Sequence, residues 1–302
     1  MNVVLRTLEA AGDRLAGADL RLVALALLVH VANHVLRSLA WRGVLAAAYP
    51  GERVRLLPVL SGYAAGVAMN AVTPARGGDA VKVGLVRTAI PGSTLTTIAA
   101  TMSVLVALDL VIGTLLLLVV GLTGAVPLDI GAGLDRTATA APMIVAVLVA
   151  LAVAGWLARR RLRGVAARLR QGGAVLAQPF RYLLTVAAPQ LAAWCCRVLV
   201  VLCLLAAFGL PATVPLAALV MVVGGASSLV PLTPGGAGTQ QVLLAVALSQ
   251  TASAAAVVSF SLAMQASVTV VNAALGVAAA MAVCRSVRPV RALRATFAGA
   301  RA

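Results

Sequence analysis

Long apolar runs, separated by short polar or basic stretches, dominate the pattern of this 302-residue chain. A helix needs roughly 20 apolar residues to cross a bilayer, whereas a strand of a membrane barrel alternates apolar with polar positions. The runs are continuous, so they predict membrane-spanning helices. These predicted spans cover about 20–40, 94–122, 139–158, 180–208 and 252–284.

Two further apolar segments, at about 56–91 and 213–250, are interrupted by Gly and Pro residues. Pro74 marks the first interruption and Pro234 marks the second, at matching places in the two halves of the chain. Each interruption is followed by a stretch too short to cross a membrane, which predicts a half-helix. Matching breaks in the two halves of a membrane chain are typical of a transporter-like substrate site near the bilayer midplane.

The predicted fold is therefore all-α: a polytopic helical membrane protein built from two inverted repeats. Each repeat holds a span, a re-entrant broken hairpin and a second span. Three spans between the two hairpins give the repeats opposite orientations. The competing interpretation makes each broken segment two full crossings. Residues 1–302 form a single membrane domain, divided into repeat 1 at about 20–122, a connector span at about 139–158, repeat 2 at about 180–284 and a basic tail at 285–302.

The composition excludes a soluble enzyme, because 62% of the residues are hydrophobic and only 11% are charged, against about 25% charged in soluble domains. The net charge of +16 comes from Arg residues that cluster between and after the apolar runs. This distribution indicates positive-inside loops rather than a nucleic-acid surface. The loop at 159–181 and the tail at 285–302 are predicted to be cytoplasmic, in a multi-pass protein of the plasma (inner) membrane. Neither a nucleic-acid partner nor a cofactor or metal is expected.

The first break combines exposed backbone N–H groups with positive charge. Gly77 and Gly78 begin a half-helix whose N-terminus favours an anion such as phosphate. Arg76 and Lys82 add two cations, and Arg suits bidentate phosphate contacts. Asp79 is predicted to cap this half-helix. The alternative is a tight structural turn with close helix packing.

Polar residues elsewhere in the apolar segments complete the candidate chemistry. The second break is neutral, and Gln240 and Gln241 offer hydrogen bonds without charge there. Arg37 and Arg197 are separated along the sequence by the same offset as the prolines of the two breaks. Each Arg either faces the protein interior or extends toward the headgroups. Asp109 lies midway along its span, where it either pairs with an Arg or couples a proton.

His30 and His34 lie four residues apart on one face of the first span. Two His residues at this spacing can bind a metal, but no third ligand is evident. Hydrogen bonding between helices is the expected role of these side chains.

The stretch from Asn70 to Lys82, with the stretch from Pro231 to Gly238, resembles the lysylphosphatidylglycerol synthase transmembrane-region family, also called the flippase-like domain family. The resemblance covers nearly the whole chain. In bifunctional members such a domain moves aminoacylated phosphatidylglycerol between leaflets, and a separate cytosolic domain makes that lipid. Other relatives stand alone or are fused to glycosyltransferases that use polyprenyl lipids. The chain ends at Ala302, shortly after its last predicted span, so no synthase domain and no enzymatic activity are expected.

The resemblance also implies which residues line the lipid site in each half of the chain. Taken with the residues argued above, the predicted lipid-binding set is Arg37, Asn70, Pro74, Arg76, Gly77, Gly78, Asp79, Lys82, Asp109, Arg197, Thr233, Pro234, Gly235, Gly236, Gly238, Gln240 and Gln241.

Two functions from different classes fit the sequence. The first is a flippase or transporter-like protein that binds a lipid with a phospho-headgroup, either an aminoacyl-phospholipid or a polyprenyl-linked lipid, between the two broken segments. The second is a scaffold that transports nothing and presents lipid to a cell-envelope glycosyltransferase. An intramembrane enzyme is disfavoured, because no pair of a nucleophile and a base is visible.

Overall fold

The computed structural model of the chain describes residues 17–73, 77–122, 166–227, 239–248 and 252–286. All regular elements within these residues are helical, as the continuous apolar runs predict. In chain order the helices are α1 (Leu20–Ala48), α2 (Leu56–Val72), α3 (Gly78–Thr88), α4 (Leu95–Leu122), α5 (Ala166–Gly172), α6 (Pro179–Ala207), α7 (Val214–Ser227), α8 (Thr239–Ala247) and α9 (Ala254–Ser286).

Four of these helices, α1, α4, α6 and α9, are long and apolar enough to cross a membrane. Many of their large apolar side chains remain exposed, including Leu28, Leu115 and Val270. An apolar surface of this extent requires an apolar surrounding, which a bilayer supplies. Four of the predicted spans are therefore confirmed as helices. The predicted connector at 139–158 lies outside the described residues, as does the tail from 287.

Helix α1 is longer than its sequence pattern indicated. The predicted span ended near residue 40, whereas the helix continues to Ala48. The reason is packing, because Trp41, Val44 and Leu45 are fully buried beyond that point. Arg42, just beyond the predicted end of the span, is exposed and donates its Nε–H to the carbonyl oxygen of Val54 at 2.9 Å.

The helices group into two compact units, and each unit contains one broken segment. The first-break unit contains α2 and α3 and is formed by Val31–Leu105, Arg168–Ala193 and Val268–Ala302. The second-break unit contains α7 and α8 and is formed by Met1–His30, Val106–Ala167 and Trp194–Ser267.

The core of the first-break unit is built around Trp41, which is fully buried and donates its indole N–H to Thr101 Oγ1 at 2.9 Å. Gln171 connects α5 to the same two helices, α1 and α4. Its side-chain N–H donates to the carbonyl oxygen of Ala48 on α1 at 3.1 Å, and its Oε1 accepts from Thr97 Oγ1 on α4 at 3.4 Å. These bonds satisfy polar groups inside an apolar core and fix the ends of α1, α4 and α5 against one another.

The core of the second-break unit is almost entirely aliphatic, with one aromatic pair. The rings of Phe208 and Phe260 meet edge to face, with their centroids 6.4 Å apart. Leu205 and Leu244 are fully buried around them. The chain leaves α6 through Gly209, whose φ of +67° is a left-handed conformation that favours glycine.

Candidate functional site

Helices α2 and α3 of the first break pack with their backbones in close contact. Gly66 and Gly78 face each other so closely that a Cβ on Gly78 would collide with the carbonyl oxygen of Gly66. One turn earlier, a Cβ on Gly62 would lie 2.8 Å from Val86 Cγ2. Small residues four positions apart are the usual means by which membrane helices approach closely. This contact places the polar side chains of both helices around the break.

Asn70, on α2, forms the hydrogen bond that closes the start of α3. Its Oδ1 accepts the backbone N–H of Gly78 at 2.8 Å, and its Nδ2 donates to Asp79 Oδ1 at 3.3 Å. The prediction that Asp79 caps α3 is wrong, because the N-cap residue is Gly77, which has no side chain to form a cap hydrogen bond. The amide side chain of Asn70 occupies the N–H of Gly78 that was expected to face a phosphate.

Lys82 is buried, with only 7% of its surface exposed, although it carries a charge within an apolar hairpin. Its Nζ donates to Asp79 Oδ1 at 2.8 Å and lies 4.8 Å from the centroid of the Tyr63 ring. The side chain of Asp79 is 40% exposed, so Lys82 is the buried member of this ion pair. Burial of the Lys82 cation costs hydration energy that offsets part of the Coulombic attraction, so the pair is weak evidence of a stabilising role. An ionisable residue at such a position is, by default, a candidate for function.

Arg37 joins the same group of side chains from α1. Its Nε–H donates to the hydroxyl oxygen of Tyr63 at 2.6 Å. Tyr63 therefore contacts both cations: Arg37 through its hydroxyl group and Lys82 through its ring face. We call Arg37, Tyr63, Asn70, Asp79 and Lys82 the first-break cluster.

Sequence reasoning missed Tyr63 in this cluster. A tyrosine within an apolar membrane helix usually finds a partner for its hydroxyl group, and that signal was available. It also missed Asn272 on α9, whose Oδ1 lies 2.9 Å from His34 Nε2. That contact confirms the expected role of His34 in hydrogen bonding between helices. No group of three or more His, Cys, Asp or Glu residues suited to a metal occurs in the part of the chain that the structure describes.

The described side chains near the second break are neutral amides. Gln241 donates its side-chain N–H to Gln265 Oε1 on α9. Gln240 lies over α7, where a Cβ on Gly224 would be 3.5 Å from its Nε2. The predicted residues Pro74 and Arg76 of the first break lie outside the described residues, and so do Thr233, Pro234, Gly235, Gly236 and Gly238 of the second.

Asp109 and Arg197 both contact Trp194 in the second-break unit. The indole N–H of Trp194 donates to Asp109 Oδ1 at 2.8 Å, and the guanidinium of Arg197 lies 4.6 Å from the centroid of the ring. Trp194 was not a predicted site residue. It offers a hydrogen bond to the acid and a π face to the cation, so both charged groups have a defined partner within an apolar helix.

These features define a helical membrane protein with charged and amide side chains at two interruptions of its helices. The chain belongs to the family described as the lysylphosphatidylglycerol synthase TM region, whose model matches residues 3–276. It is accordingly a membrane protein of lipid-related function. The family corresponds to the membrane part of the synthase, which is often separate from the catalytic domain. No curated protein and no solved structure shows significant similarity to the chain.

Proposed function

We propose that this protein binds the phospho-headgroup of a lipid at the first break and carries it between the leaflets of the plasma membrane. The observation that carries the proposal is the first-break cluster, in which a buried Lys82 lies within an apolar hairpin. The described cluster holds two cations, Arg37 and Lys82, against the single carboxylate of Asp79. A surplus of positive charge in a poorly hydrated place favours an anionic headgroup, while the lipid tails remain in the bilayer.

The order of the helices supports an architecture of two repeats. A long helix, two short helices and a long helix follow one another in α1–α4 and again in α6–α9. The sequence offset between the starts of α1 and α6 equals the offset between the starts of α4 and α9. The offset between the first short helices, α2 and α7, is nearly the same. Two halves of one chain with the same element spacing are typical of transporter repeats.

The membership of the long helices in the two units supports a two-fold relation between the repeats. Helix α1 begins in the second-break unit and ends in the first-break unit, whereas its counterpart α6 begins in the first-break unit and ends in the second-break unit. Helices α4 and α9 show the same reversal. Counterpart helices therefore belong to the units in opposite order, as two repeats related by a two-fold axis would.

Polar contacts follow the same correspondence. His34 and Trp194 are separated along the sequence by the same offset as the prolines of the two breaks. Each of the two bonds a polar side chain on a long helix of the other repeat, Asn272 and Asp109 respectively. An Arg follows each of the two rings three residues later. The counterpart positions thus combine a ring, a polar partner and a cation in both halves.

The lengths of the second short helices support re-entrant hairpins over full crossings. Helix α3 has 11 residues and α8 has 9. At 1.5 Å per residue they extend about 17 Å and about 14 Å, roughly half the thickness of the hydrocarbon core. The C-terminus would lie in the cytoplasm, following the basic residues.

Cysteine accessibility tests this topology. In a chain without its native cysteines, an impermeant thiol reagent applied to one side should distinguish Ala89→Cys from Ala212→Cys. The reason is that three predicted spans, at about 94–122, 139–158 and 180–208, separate these two exposed positions. Labelling of both from one side would contradict the inverted repeats. Gly77→Cys at the first break should resist the reagent from outside. Rapid labelling there would favour two full crossings over a re-entrant hairpin.

Reconstitution tests the transport activity. The purified chain is placed in vesicles that contain a fluorescent anionic phospholipid, and an impermeant quencher reports how fast the headgroup exchanges between leaflets. Acceleration over protein-free vesicles is expected. If no labelled phospholipid or lipid-linked sugar exchanges faster, the transport proposal is wrong. Co-purification with a cell-envelope glycosyltransferase in that case would support the scaffold function.

A further inference from the structure

A groove on the first-break unit lies apart from the first-break cluster. It has a volume of about 350 Å³ and lies between α1 and α6. Its lining is mixed: Leu39, Ala46 and Leu184 supply apolar wall, and two guanidinium groups, Arg42 and Arg181, also line it. Volumes of about 300–1,000 Å³ are usual for sites that hold small ligands.

The floor of the groove is a close contact between two backbones. A Cβ on Gly43 of α1 would collide with the carbonyl oxygen of Thr185 on α6. Thr185 lies in a π-helical turn, Leu183–Ala187, that interrupts the regular hydrogen bonding of α6. Single π turns inside α-helices are frequent at functional sites. The crossing at Gly43 and the wide turn leave open space beside them.

Both cations lie at ends of predicted spans. Arg42 lies in the last part of α1, and Arg181 lies in the first turn of α6. The described residues engage only part of each guanidinium: Arg42 donates from Nε to the carbonyl oxygen of Val54, and Arg181 donates from one Nη to Gln178 Oε1 at 3.2 Å. The remaining N–H groups can bind a ligand. Phosphate oxygens suit such planar donors.

We propose that this groove binds an anionic phospholipid of the surrounding bilayer as a resident lipid, distinct from the lipid that is carried at the first break. The phosphate contacts Arg42 and Arg181, and an acyl chain lies along Leu39, Ala46 and Leu184. Charge complementarity selects this occupant. Two cations at the headgroup level above an apolar wall match a lipid with one anionic end and one apolar end, and basic pockets between membrane helices bind such headgroups.

Lipid retention measured by native mass spectrometry tests the proposal. The full chain is purified from mixed micelles that contain phosphatidylglycerol and phosphatidylcholine in equal amounts. Wild type should retain phosphatidylglycerol in preference, and Arg181→Gln should reduce that retention about fivefold, since one basic residue near a headgroup contributes about that factor. Arg21→Gln is the matched control, because Arg21 is exposed at the opposite end of α1 and lies outside the groove.

A second variant tests the apolar wall without changing charge. Ala46→Leu should lower the retention of phosphatidylglycerol by filling the groove. The proposal is wrong if Arg181→Gln retains as much phosphatidylglycerol as Arg21→Gln does, or if wild type retains both lipids equally. Repeating the comparison with Lys82→Gln in the background separates the two lipid sites. If Arg181→Gln still lowers phosphatidylglycerol retention in the Lys82→Gln background, the lost lipid was bound in the groove. If Arg181→Gln no longer lowers retention in that background, the groove is not a distinct lipid site.

Discussion

The close approach of α2 and α3 gives a sharp prediction for Gly78→Ala. A Cβ at this position would lie within collision distance of the Gly66 carbonyl oxygen, and 2.7 Å from Asn70 Oδ1. The first of these is backbone, so α3 must move away from α2. Overpacking of this kind typically costs about 1–3 kcal/mol. The displacement also weakens the bond between Asn70 and the Gly78 N–H, which contributes roughly 1 kcal/mol. The free energy of unfolding should therefore fall by about 2–4 kcal/mol.

Gly84 on the same helix provides the matched control. A Cβ there would meet nothing within 4 Å. Replacing a glycine inside a helix by alanine stabilises the helix by roughly 0.5–1 kcal/mol, so Gly84→Ala should raise the free energy of unfolding. SDS-induced unfolding in mixed micelles, followed by circular dichroism, measures both variants. If Gly78→Ala is as stable as Gly84→Ala, the two helices do not pack through their backbones as described.

Two further variants test individual contacts by the same unfolding measurement. Asn70→Ala should lower the free energy of unfolding by about 1–3 kcal/mol, because the buried N–H of Gly78 loses its acceptor. The double variant Asn70→Ala, Gly78→Ala should lose less free energy of unfolding than the two single variants lose together, because both changes disturb the same contact. Losses that are strictly additive would contradict that shared contact. Trp194→Phe should cost about 1.5–3 kcal/mol, since a charged carboxylate, Asp109, loses a donor while the ring over Arg197 is retained. Unchanged stability would mean that the indole bond to Asp109 is not important.

The helices and their breaks could be predicted from the sequence because each follows from a local rule. The lengths of the apolar runs predicted the spans, and the Gly and Pro residues predicted the interruptions. Helices α3 and α8 accordingly begin where the second halves of the broken segments were expected. The end of α1 could not be predicted. It depends on the burial of Trp41 and Leu45 by other helices, a tertiary effect that a run of apolar letters does not reveal.

The candidate site was predictable only in part, for a similar reason. A charged residue inside an apolar segment, such as Lys82, is visible in the sequence. Asn70 was also a predicted site residue, whereas Tyr63 was not, because its contact with Lys82 depends on how α2 packs against α3. The N–H groups at the first break were expected to face a ligand, and the only competitor considered was Asp79 on the same helix. Asn70 competes because α2 folds back onto α3.

The most direct test of the central claim is the rate of headgroup exchange with Lys82→Gln in vesicles. Lys82 belongs to the first-break cluster, whereas Arg87 lies on the same helix and outside the cluster, so that Arg87→Gln removes the same charge as a control. A contact to a charged group contributes about 1.5–3 kcal/mol, which predicts exchange that is about 10- to 150-fold slower for Lys82→Gln. Exchange by Arg87→Gln should stay within about twofold of wild type, the effect of a surface charge. Equal exchange by the two variants would contradict a headgroup site at the first break.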